Sequence, residues 1–105
     1  MSDILPTRFD EKVWQILRKI PSGKVTTYKR IAIALGKPNA ARAVGNACNR
    51  NPFAPEVPCH RVVCSDGSIG GYANGVKRKI ALLQSEGIVI KNNKVLDFSK
   101  LLLEF

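Results

Sequence analysis

Thr26-Thr27-Tyr28-Lys29-Arg30-Ile31-Ala32-Ile33-Ala34-Leu35-Gly36-Lys37-Pro38-Asn39-Ala40-Ala41-Arg42-Ala43-Val44-Gly45-Asn46-Ala47-Cys48-Asn49 is the stretch on which the fold turns. Thr26 or Thr27 offers a hydroxyl N-cap, and a helix is predicted from Tyr28 to Leu35 with Ile31 and Leu35 facing inward. Gly36 ends it, Lys37-Pro38-Asn39 turns the chain, and a further helix follows from Ala40 to about Asn49. Two helices joined by a short turn containing glycine make a helix-turn-helix unit. Ala40, Ala41, Ala43, Gly45 and Ala47 leave the second helix nearly smooth; only Arg42, Asn46, Asn49 and Arg50 add long or polar groups.

Charge gives the smooth helix a context. The 105 residues carry 17 Lys and Arg against 8 Asp and Glu, a net charge of +9. No acidic residue lies between Glu11 and Glu56, where Lys12, Arg18, Lys19, Lys24, Lys29, Arg30, Lys37, Arg42 and Arg50 all fall. A field of one sign draws polyanions, and nucleic acid is the leading candidate because neutralised phosphates release counterions. Small side chains would let this helix approach a DNA groove closely, or pack tightly on a neighbouring helix.

Outward from this unit the pattern predicts one domain, mostly α with a small β hairpin. About the first eight residues are expected to be loosely held. Asp10 offers an N-cap, Phe9 and Trp14 bracket it as a hydrophobic staple, and Val13, Ile16, Leu17 and Ile20 follow helical spacing up to Pro21-Ser22-Gly23. Val25-Thr26 reads as a short extended piece. Asn51 to Pro58 is a proline-rich loop, Arg61 to Cys64 a short strand, and Ser65-Asp66-Gly67-Ser68 a turn. Gly70, Gly71 and Gly75 surround Tyr72. A helix is expected from about Val76 to Ser85, with Ile80 and Leu83 inward and Gly87 as its C-cap. Val89 to Leu96 has hairpin character, and Asp97 is placed to cap a last helix ending in Leu101-Leu102-Leu103.

No apolar run approaches the roughly 18 residues that span a bilayer, and Met1 to Pro6 has neither a basic start nor an apolar core for a signal peptide. The expectation is an intracellular monomer, cytoplasmic or nucleoid-associated, or nuclear in a eukaryote. Three cysteines, Cys48, Cys59 and Cys64, argue for free thiols over a disulfide framework.

Pro58-Cys59-His60-Arg61 is the sharpest chemical feature. A cysteine attacks as thiolate, and basic neighbours favour that form. Adjacent side chains on regular backbone do not face each other, so Cys59 and His60 could cooperate only on irregular backbone or through water. A zinc site of Cys48, Cys59, His60 and Cys64 fits no common ligand spacing.

Pro58-Cys59-His60-Arg61-Val62-Val63 resembles the active-site segment of the O6-alkylguanine-DNA alkyltransferases, the methylated-DNA–protein-cysteine methyltransferases. Lys24-Val25-Thr26-Thr27-Tyr28, Ala40-Ala41-Arg42-Ala43-Val44-Gly45, Asn51-Pro52, Gly71-Tyr72, Lys79, Leu82-Leu83 and Glu86-Gly87 fit the same family in the same order, across about Phe9 to Ile88. The resemblance implies a winged helix-turn-helix that binds double-stranded DNA through the minor groove, flips out an O6-alkylguanine and moves its alkyl group to Cys59 in a single turnover, with no cofactor and no metal. His60 would act as base through a water, Glu86 would orient it, and Tyr28 would protonate the departing guanine. Arg42 would fill the vacated stack, with Ala40, Ala41 and Arg61 also at the DNA. Asn51 would brace the hinge, and Val62 and Ala73 would offer backbone groups to the base.

Several positions differ from the pattern. Ala54 stands where many relatives carry proline, Ala73 where some carry serine, and Asn74 where glycine is common, which bears on substrate range. The additional N-terminal domain of usual members is expected to be missing. Alkyltransferase-like proteins of this one-domain size bind alkylated DNA, replace the cysteine with Trp or Ala and hand the lesion to other repair proteins; Cys59 argues for transfer instead. An ordinary helix-turn-helix regulator is the third reading, and it would be expected to offer more side chains to base edges.

Overall fold

The computed structural model describes residues 8–103. All but the last of the residues expected to be loosely held lie outside the described residues. The observed order is α1 (Arg8–Leu17), β1 (Thr26–Thr27), α2 (Tyr28–Ala34), α3 (Ala41–Asn49), a 3-10 turn (Cys59–Arg61), β2 (Val62–Val63), α4 (Val76–Ser85), β3 (Ile90–Lys91), β4 (Lys94–Val95) and α5 (Phe98–Leu101). This is the mostly helical architecture expected, with small sheets.

The helix-turn-helix forms for the reasons the sequence offers. Thr27 is the N-cap of α2, its Oγ1 accepting from Arg30 N at 3.0 Å. Gly36, at φ 75°, ends the helix in a conformation that costs glycine little. Helix α3 then packs against both α1 and α2.

The start of α1 departs from expectation. Asp10 lies inside the helix, 1% exposed, and accepts from Arg50 Nε at 2.9 Å and Nη2 at 2.7 Å. A forked charge-assisted pair satisfies both carboxylate oxygens, where capping would engage one. The Phe9–Trp14 staple falls with the cap. Trp14 instead donates its indole N–H to Ala47 O at 2.9 Å and meets Phe53 edge-on, tying α1 to α3 and to the loop before Cys59.

Strands β1 and β2 pair in parallel, Thr26 opposite Val62 and Thr27 opposite Val63, a pairing the sequence reading did not anticipate. This ladder divides the interior. Val62 belongs to the core formed by α1, α2, α3 and the 3-10 turn; Val63 belongs to a second core with Val25, Ile69, Leu83, Ile88 and Val95. Alternation along two residues thus serves both halves.

The hairpin of β3 and β4 turns at Asn92 and Asn93, both with positive φ, as a two-residue primed turn requires. Asp97 occupies the cap position of α5, but in a left-handed conformation and without a side-chain cap bond. The last helix also stops short of Leu102 and Leu103. Those residues run alongside Val25, with Leu103 N donating to Val25 O at 2.7 Å and Val25 N donating to Leu101 O at 3.0 Å. Val25 is fully buried, so its backbone polar groups require such partners. No helix among the described residues is long and apolar enough to cross a membrane.

Candidate active site and nucleic-acid interface

The 3-10 turn supplies the irregular backbone that a Cys59–His60 partnership needs. Pro58 precedes it, Arg61 N donates to Pro58 O at 3.0 Å, and β2 begins directly after. Cys59 is 4% exposed and His60 1%.

His60 Nε2 lies 2.9 Å from Glu86 Oε2. Burial opposes the charge on Glu86, yet hydrogen bonds from Arg61 and His60 hold its carboxyl below the usual range. An ionised carboxylate only accepts, so the ring proton sits on Nε2. Burial also holds His60 below its ordinary pKa, against the pull of Glu86, and so favours the neutral ring. Its Nδ1 is then a lone-pair nitrogen, buried without a hydrogen-bond partner among the described residues. Such a nitrogen is able to accept a proton.

Cys59 corrects an expectation. Its basic surroundings do not win: burial raises the thiol pKa, although a hydrogen bond with Asn51, the Lys79 ammonium and Tyr72 each pull it down. Burial therefore favours the thiol over the thiolate at Cys59. Asn51 also fixes the preceding loop, its Nδ2 donating to Val57 O at 2.8 Å and its Oδ1 accepting from Phe53 N at 2.9 Å.

Beside this cluster lies a cleft of about 440 Å³ lined by Tyr28, Ala41, Arg42, Gly45, Asn46, Asn49, Cys64, Gly70 and Gly71. One wall is a mixed face of α3, where Ala41 and Gly45 lie among Arg42, Asn46 and Asn49. Tyr28 and Arg42, expected at the lesion, therefore share one opening, with the Arg42 side chain exposed. A Cβ on Gly45 would stand 3.9 Å from the Tyr28 ring, an ordinary contact, so α3 meets the Tyr28 ring at this position. Ala40 caps α3 positionally and packs on the first core; Ala41 reaches the cleft. Ala73 is exposed in the loop beyond Gly71.

Two expected DNA-side roles meet other geometry. Arg61 has no free guanidinium: Nε and Nη2 bind Glu86, and Nη1 donates to Ile20 O at 2.6 Å. It braces Glu86 instead of reaching outward. The Val62 carbonyl accepts from Lys79 Nζ at 2.7 Å. Lys79 itself, fully buried on α4, was matched in sequence but given no role. Tyr72, a hydrogen-bond neighbour of Cys59, was also missed. The signal for both was their place among the family-like motifs, Tyr72 in Gly71-Tyr72 and Lys79 one residue before the inward Ile80.

Residues 8–88 match the family model described as 6-O-methylguanine DNA methyltransferase, DNA binding domain, and the chain belongs to that family. It is 54% identical over 80 residues to a methylated-DNA–protein-cysteine methyltransferase of Methanosarcina barkeri, covering 76% of this chain and 51% of that protein. It is 51% identical over 84 residues to the bifunctional transcriptional activator/DNA repair enzyme Ada of Escherichia coli, covering 80% and 24%. The chain thus spans about half, or less, of these curated relatives. In structure it resembles Mycobacterium tuberculosis OGT in complex with DNA, with TM-score 0.76 and 48% identity over 80% of this chain and 52% of that one. It also resembles S. pombe Atl1 in complex with damaged DNA containing O6-carboxymethylguanine, with TM-score 0.79 and 32% identity over 92% and 95%.

Proposed function

We propose that the chain repairs O6-alkylguanine in double-stranded DNA by moving the alkyl group to Cys59, once per molecule. The observation that carries this reading is a buried thiol beside a neutral histidine whose free Nδ1 is set by Glu86. The cleft with Tyr28 and Arg42 supports a nucleotide flipped out of the duplex, with α3 in the minor groove.

The chemistry balances. His60 Nδ1 takes the Cys59 proton through a water, the sulfur bonds to the alkyl carbon, and the carbon–O6 bond breaks. The guanine leaves with the electron pair and takes a proton from Tyr28, whose phenolate, disfavoured by burial, recovers a proton from solvent. Glu86 stabilises the imidazolium, which later returns its proton to solvent. The thioether has no path back to a thiol, so the reaction is stoichiometric.

A second reading, recognition without transfer, draws support from the likeness to Atl1 along nearly that whole protein. Mass spectrometry after mixing with a duplex bearing one O6-methylguanine separates the two. One added methyl on the Cys59 peptide is expected. Unchanged mass with damage-selective binding would mean recognition alone.

A further inference from the structure

Lys79 heads the fully buried side chains of the molecule. Burying an ammonium is costly unless its donors are met, and an apolar residue on this face of α4 would avoid the cost. Among the described residues no carboxylate forms an ion pair with it. Its donors are met by oxygens from three elements: Val62 O at 2.7 Å, Gly71 O at 3.0 Å and Tyr28 Oη at 3.5 Å. Val62 follows the nucleophile, Gly71 walls the cleft, and Tyr28 opens into it.

An ammonium has three donors and no lone pair. In its contact with Lys79 the Tyr28 oxygen can only accept, so the phenol proton must be directed elsewhere. We propose that Lys79 is a positioning residue that occupies the acceptor side of the Tyr28 hydroxyl and so holds that hydroxyl as a donor toward whatever fills the cleft. The role rests on the alkyl-transfer reading, in which Tyr28 gives its proton to the departing purine.

The arrangement depends on charge. A neutral lysine amine carries a lone pair that accepts the phenol proton, turning the hydroxyl away from the cleft. The titratable groups around Lys79 are Tyr28 on α2, Cys48 on α3, Cys59 and His60 in the 3-10 turn and Cys64 after β2; the Lys79 charge also pushes the His60 ring toward its neutral form. Burial brings Lys79 down to about 8, while the three thiols resist that fall. The donor array is therefore intact below about pH 8 and lost as pH rises through it. Ionisation of Cys59 acts in the opposite sense, since it adds nucleophile at high pH.

The test is the single-turnover rate of methyl transfer from an O6-methylguanine duplex between about pH 6 and 10. The wild-type rate is expected to fall above about pH 8, and Tyr28→Phe to be slower but to lack that alkaline decline. Lys79→Met is expected to cost on the order of tenfold in the wild-type background and little in Tyr28→Phe, because the lost interaction is shared. Lys79→Arg, whose charge persists, is expected to move the decline upward. An alkaline decline that survives in Tyr28→Phe, or an equal cost of Lys79→Met in both backgrounds, would overturn the role. The Tyr28→Phe profile needs no change at Lys79, so misfolded Lys79 variants leave the test standing. Absence of methyl transfer at every pH would overturn the proposed function, and this role with it.

Discussion

Arg61 holds Glu86 in two parallel hydrogen bonds, Nε to Oε1 at 2.9 Å and Nη2 to Oε2 at 2.6 Å. Oε2 is also the oxygen that meets His60, so Arg61 fixes the group that fixes the base. Charge-assisted hydrogen bonds are worth roughly 1.5–3 kcal/mol, so Arg61→Gln is expected to slow methyl transfer about ten- to a hundredfold. DNA affinity at fixed salt should hardly move. Lost affinity with an unchanged transfer rate would return Arg61 to the DNA-side role first expected of it.

Burial of His60 couples activity and stability to acid. The folded ring has a lowered pKa, first through burial and against the Glu86 hydrogen bond. As pH falls below about 6.5 the unfolded chain takes up a proton that the folded chain resists. Stability is therefore lost from about pH 6.5 down to the folded pKa, and transfer slows once the folded ring itself protonates. Melting temperatures at descending pH should show this slope, and His60→Gln should flatten it. Equal slopes in both proteins would mean that other groups govern the acid limb.

Much of the site was legible in sequence because its parts lie in contiguous motifs. The Thr27 cap, the smooth helix and the turn at Pro58 all rest on local rules. The misses share a different cause. Asp10 reads locally as a cap, and only its distant partner Arg50 makes it an ion pair. Arg61 reads as one more surface cation until Glu86 and Ile20 enclose it. Lys79 sits on an inward face that binary patterning reserves for apolar residues, and its acceptors come from α2, β2 and the Gly71 loop. Non-local partners carry no signature in spacing.

Gly70 should tolerate no side chain. Its φ is 74°, and a Cβ there would stand 3.2 Å from Cys64 Sγ and 3.5 Å from Tyr28 Oη. Gly70→Ala is expected to cost roughly 1–2 kcal/mol in stability from backbone strain alone, and to slow transfer by pressing on Cys64 Sγ at the wall of the cleft. Gly71→Ala, with nothing within 4 Å, is the control and should change little. Equal effects of the two substitutions in melting and transfer assays would count against this account of the cleft.

Binding to DNA should be steeply dependent on salt. If about four phosphates are contacted, log K falls against log[salt] with a slope near −3.6. Arg42→Ala should weaken binding to a lesion duplex more than to intact duplex, because its expected place is the vacated stack and not the backbone. A slope near zero would remove the basic-surface argument, and equal losses on both duplexes would make Arg42 an ordinary phosphate contact.

Leu101 to Leu103 close onto Val25, the residue immediately before the β1 ladder and the helix-turn-helix. The backbone of Val25 waits for partners that lie at the far end of the described chain. During synthesis, α1, α2 and α3 can emerge and associate early, but the central ladder cannot be sealed until the last leucines have left the ribosome. The helix-turn-helix half is in that sense made first and locked last, and a nascent chain stalled before Leu101 would hold α3 on an unfinished frame.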